Sequence, residues 1–124
     1  MKSSCWILLG AVLAAGCGGG TAPGAADPTA AKAALQQALD AWQRGDPPER
    51  LLEGRPSIRV LDREWTQGHR LLRYEIGSQT PFAADQRFQV VLTLQVANRP
   101  AVKKKAVYLV GTSPAITVAR EEDT

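Results

Sequence analysis

The chain has 124 residues, a formal net charge of +3 and a pI near 9.1, with 44% hydrophobic residues. That length suits one domain with a modest core and is too short for two. The basic residues are interleaved with acids, as in Arg63-Glu64 and Arg50 to Glu53, so the mild excess makes no nucleic-acid footprint.

Chain order begins with Lys2, then an apolar run from Trp6 to Leu13, then the small residues Ala14, Ala15 and Gly16 ahead of Cys17. A positive start, a short apolar segment and a small-residue site are the parts of a secretory signal. The run is too short for a permanent span, which needs roughly 20 residues in a helix. Leu13-Ala14-Ala15-Gly16-Cys17 resembles a bacterial lipobox. The resemblance implies that residues 1–16 are removed and that Cys17 carries lipid as the first mature residue. Ala14 stands where that pattern prefers Leu, and an ordinary cut near Ala14 would instead leave Cys17 as a thiol. Cys5 leaves with the signal, so the mature domain is expected to hold no thiol for a disulfide, a metal or a nucleophile. Gly18 in place of Asp is what, in the sorting rule this resembles, favours the outer membrane over the inner. Residues 17–26, rich in Gly, Ala and Pro, read as a tether with no large side chain to bury.

Asp27-Pro28 predicts a helix start, with Asp as N-cap and Pro where its missing N–H costs nothing. Ala31, Leu35, Ala38, Leu39 and Trp42 recur at helical spacing, while Lys32, Gln36, Gln37, Asp40 and Gln43 face outward. Gly45 and Pro47-Pro48 end the helix. A short helical turn is expected over Glu49 to Glu53.

The period then becomes alternating. A first strand, apolar on both faces, is expected from Ile58 to Trp65. Gln67-Gly68 reads as a turn, and a second strand as Arg70 to Ile76. Gly77 to Asp85 is expected to be a loop. The clearest strand carries Phe88, Val90, Leu92, Leu94 and Val96, and Asn98-Arg99-Pro100 turns it back. Another strand spans Val102 to Thr112, a last one Ala115 to Arg120, and residues 121–123 form an acidic end.

One amphipathic helix on a curved antiparallel sheet of four to five strands, spanning residues 27–124, is an α+β architecture. The order is similar to the cystatin-like and NTF2-like group. Trp42 with Gly45 at the helix end, the long strand pair and the closing run Val110 to Val118 look like small uncharacterised exported proteins of the planctomycete type.

His69, the single histidine, sits in the expected turn and reads as solvent-facing, without the orienting partner a general base needs. The NTF2-like resemblance implies an acid and a Tyr inside the sheet, which brings Asp62 and Tyr74 forward; Tyr74 serves equally as a core aromatic with its hydroxyl at an edge. Trp42 and Trp65 are expected in the core, with a ligand cleft as the alternative. Lys103-Lys104-Lys105 alternates on a strand and so cannot form one patch; it reads as a guard on an exposed strand start, with contact to anionic headgroups as the alternative.

The functional expectation is therefore a lipid-anchored envelope protein with a non-catalytic binding or interaction module. The alternatives are an NTF2-like hydrolase or isomerase and an assembly subunit that pairs strands. No catalytic residue, metal or cofactor is expected. The partners implied are the membrane through Cys17 and a protein or small molecule; nucleic acid is not among them, and a homodimer is compatible with the pattern.

Overall fold

The computed structural model describes residues 26–121. The expected signal, Cys5, Cys17 and nearly all of the expected tether lie outside these residues; Ala26, assigned to the tether by composition, is buried at the edge of the domain.

Helix α1, Pro28–Arg44, begins as its sequence predicts, with the Asp27 carboxylate accepting from the Thr29 N–H at 3.2 Å. It ends at Gly45, whose φ of 90° is a left-handed conformation that lets its N–H bond back to the Trp42 carbonyl. The buried stripe is Ala31, Leu35, Ala38, Leu39 and Trp42, widened by Ala34 and Ala41. Short helix α2 follows at Glu49–Leu52 and buries Leu51.

Strand β1 is Ile58–Leu61 and stops sooner than alternation predicts. Asp62 caps a one-turn helix, α3, Arg63–Thr66, by accepting from the N–H groups of Glu64 and Trp65. This cap competes with strand continuation and turns Trp65 into the core. Strand β2 runs Arg70–Phe82, and its far half replaces the expected loop. Pro81 is tolerated because β2 is an outer strand of the sheet, where a missing N–H breaks no ladder bond. A two-residue turn, Ala83-Ala84, leads into β3, Asp85–Gln95; β4 is Val102–Gly111 and β5 Ile116–Arg120.

The five strands lie in the order β1-β5-β4-β3-β2. The sheet is mixed and open, which corrects the all-antiparallel expectation: β1 pairs parallel with β5, Ile58 beside Ile116 and Val60 beside Val118. The α3 to β4 stretch supplies the long crossover that parallel pairing requires. One face, carrying Leu71, Phe88, Val90, Leu92, Leu94, Ala106, Tyr108, Val110 and Val118, shares a single hydrophobic core with α1, Trp65 and Ile58. Burying each large side chain of this set contributes roughly 1.5–3 kcal/mol. On the opposite face, no described strand side chain is buried.

The start of α1 is clamped to the β2–β3 hairpin. Gln86 donates to the Ala26 carbonyl at 3.3 Å and Gln79 to the Pro28 carbonyl at 2.9 Å. From there the 17 residues of α1 carry the chain about 25 Å to the opposite end of the core.

Candidate functional site

Two groups of polar and aromatic side chains bear on function. The first is built on Asp62, which is only 3% exposed. Its capping role brings the carboxylate inward, where strand order delivers two partners from distant sequence: β4 supplies Tyr108 and β5 supplies Arg120, directly opposite each other in register. The Tyr108 hydroxyl donates to Oδ2 of Asp62. Arg120 Nη1 lies 3.1 Å from Oδ1 and 3.3 Å from Oδ2. Its Nη2 bonds Glu64, whose other oxygen takes Lys104 Nζ at 3.0 Å. The guanidinium also sits 5.7 Å from the Tyr108 ring centre.

Every charge in this chain of groups has an answer. Burial pushes the Tyr108 hydroxyl far up, reinforced by the Asp62 carboxylate, so it stays protonated as a donor. Burial alone would raise Glu64, but hydrogen bonds and charge from Arg120 and Lys104 outweigh it and hold its pKa below the usual value. The Arg120 guanidinium is held above its ordinary value, since its carboxylate partners overcome the cost of burial. Both Asp62 oxygens are occupied, which leaves this carboxylate no free lone pair aimed at an outside molecule.

The pair anticipated from the fold resemblance, Asp62 with Tyr74, is not brought together. Tyr74 lies on β2 and donates to Asp40 Oδ1 of α1 at 2.7 Å, away from Asp62. Burial and the Asp40 carboxylate push its hydroxyl up to about 12. The reading of Tyr74 as a core-packed aromatic with its hydroxyl at an edge is the one the geometry matches. The partner of Asp62 is instead Tyr108, on the core face of β4.

The second group closes the far end of α1. Trp42 and Trp65 stack with ring centres 5.3 Å apart and planes 7° from parallel, and both are buried in the core. Each indole N–H is satisfied by backbone: Trp42 donates to the His69 carbonyl at 2.8 Å and Trp65 to the Asp46 carbonyl at 3.0 Å. No family model, curated protein or solved structure matches the chain.

Above the indole pair lies an open depression of about 420 Å³, walled by the α1 end, the Asp46 to Glu49 segment and the turn before β2. Trp42 and Trp65 are thus in the core, as expected, and their edges also line this depression. Arg44 and Asp46 pair across the rim at 3.1 Å. His69 corrects the solvent-facing expectation: it is half-buried, because Gly68 in a left-handed conformation folds the turn back under the helix end. His69 Nδ1 is enclosed without a hydrogen-bond partner, an uncommon condition for a buried polar atom. Among the described residues, no group of three or more His, Cys, Asp or Glu is arranged to hold a metal, and no helix is long and apolar enough to cross a membrane.

Proposed function

We propose that this chain is a lipid-anchored envelope protein, held through Cys17, whose domain is a non-catalytic binding module of small cystatin-like or NTF2-like type. The observation that carries the reading is the contrast between the two groups. The buried Asp62 carboxylate and the half-buried Glu64 carboxylate are saturated by Tyr108, Arg120 and Lys104, whereas the Trp42–Trp65 depression is open and has one enclosed polar atom, His69 Nδ1, without a hydrogen-bond partner. A depression of this size with an apolar floor and a charged rim suits a small molecule or a protruding side chain of a partner.

The placement of the tether favours the same reading. The expected tether joins the domain at Ala26, beside the β2–β3 hairpin, and α1 separates that point from the depression. An anchor at Cys17 therefore leaves the depression clear. Inside the envelope, one long helix and successive hairpins forming an open sheet are what support the cystatin-like or NTF2-like assignment.

The test is metabolic labelling with a fatty acid, followed by membrane flotation. Wild type should take up label and float, whereas Cys17→Ala should do neither. Label in the variant, or none in wild type, contradicts the anchor.

A further inference from the structure

The sheet face turned away from α1 has a composition that its strand register makes visible. Arg73, Thr93 and Lys103 form one row across β2, β3 and β4; Glu75, Val91 and Lys105 form the next. Beyond them, Val107 and Leu109 on β4 continue toward Ala119 on β5 and Leu61 on β1. Leu61 is 51% exposed. A groove of about 490 Å³ crosses this face between Gly77, Gln89 and Val107, where the register shift in β2 and the absence of a Gly77 side chain lower the surface. Arg87 on this face is matched by Glu121 at 3.1 Å. Arg59, Arg73, Lys103 and Lys105 form no ion pair among the described residues. The face thus presents Arg59, Arg73, Lys103 and Lys105 without ion pairs, against Glu75 and, at the hairpin end, Asp85 over Gly111, around partly exposed aliphatic side chains.

From this face we infer that the domain docks flat on an anionic lipid surface, with the open sheet toward the headgroups and α1 toward solvent. The inference rests on the proposed anchor. The nine residues from Cys17 to Ala25 can reach at most about 30 Å, so an anchored domain stays within that reach of the bilayer. Each near-surface cation strengthens attachment to an anionic leaflet by about five-fold, and tethering makes weak contact sufficient. A second copy fits less well, because two such faces would set Arg73, Lys103 and Lys105 against their own kind, with Glu75 and the distant Asp85 too few to answer them. Lys103 and Lys105 then act through the face they share, while Lys104 points the other way to Glu64.

The experiment uses the full lipidated protein carrying Gln89→Cys, labelled with an environment-sensitive fluorophore, on vesicles of phosphatidylcholine alone or mixed with phosphatidylglycerol. Flotation on both vesicles is expected. A blue-shifted emission should appear only with phosphatidylglycerol, and raising salt from about 0.05 M to about 0.5 M should abolish it. Lys103→Glu with Lys105→Glu should weaken docking by about 25-fold or more, as should Arg73→Glu, without affecting flotation. Flotation on both vesicles without the emission change overturns the docking alone; failure to float on phosphatidylcholine overturns the anchor, and the docking falls with it. A shift that appears in detergent and grows with protein concentration would show a second copy on the face. The same shift produced by soluble polyglutamate without vesicles would show an acidic protein surface as the occupant. Either result would overturn the lipid docking.

Discussion

Replacing Arg120 by Met examines how the interior is held together. Met keeps much of the aliphatic stem and removes the guanidinium, so the change isolates the charge interactions. In the native domain Arg120 reaches both oxygens of Asp62 and one of Glu64, with side chains only 10%, 1% and 17% exposed respectively. Without it, the Asp62 carboxylate remains buried with the Tyr108 hydroxyl and two backbone N–H groups as its described partners. Removing one member of such a buried pair costs about 3–5 kcal/mol, because the stranded charge keeps its desolvation cost. A domain of this size has roughly 5–15 kcal/mol in total, so the variant should lose a large part of its stability. In thermal terms the midpoint should fall by at least about 12 °C. Urea unfolding, followed by fluorescence of the stacked Trp42–Trp65 pair, measures the loss. Adding Asp62→Asn to the Arg120→Met chain keeps a good capping residue while removing the stranded charge, and should recover about 1 kcal/mol or more. A loss below about 1 kcal/mol on Arg120→Met, the scale of an exposed ion pair, would refute the description of a desolvated network.

Glu64 makes the stability pH-dependent. Its folded pKa lies below its ordinary value of 4.5, so the folded state gains stability above that value and loses it as pH falls through the folded pKa. Glu64→Gln should flatten this acid limb; an unchanged limb would contradict the assignment. The Tyr74 hydroxyl, raised to about 12, should yield no tyrosinate absorbance near pH 10 in the folded protein, and stability should decline between about 10 and 12 as the unfolded chain ionises first. A tyrosinate step near 10 in folded protein would show that the bond to Asp40 does not persist. Ala83, at a φ of 53° in the β2–β3 turn, should accept Gly with a gain of up to about 1 kcal/mol, whereas Gly45→Ala, at a φ of 90°, should cost about 1–2 kcal/mol. Equal and negligible effects at both positions in denaturation would contradict the left-handed conformations.

The main helix was legible because cap, stripe and stop agree: Asp27, the Leu35–Leu39–Trp42 stripe and Gly45 all describe the same segment. The segment Ile58 to Trp65 was misread because its alternation continues through Asp62, and only the side chain's bonds to Glu64 and Trp65 N–H decide for a helical turn. Gly77 and Pro81 resemble loop residues, yet a β-bulge and an edge position absorb them into β2. The parallel β1–β5 pair was hidden for a different reason, since it joins the two ends of the strand series. That same pairing sets Asp62 beside Arg120, 58 residues away, and beside Tyr108. Sequence therefore marked Asp62 as notable, but its partner depended on strand order. His69 follows the expected Gln67-Gly68 turn, but that turn joins α3 to β2 and not two neighbouring strands, and Gly68 closes it against Trp42.

The anchor that frames this account is tested most directly by mass spectrometry of the N-terminal peptide of the mature protein purified from membranes. The account predicts that the peptide starts at Cys17 and carries a diacylglyceryl group on its sulfur. A peptide beginning at Met1, or one beginning near Ala15 with an unmodified Cys17 thiol, would contradict it.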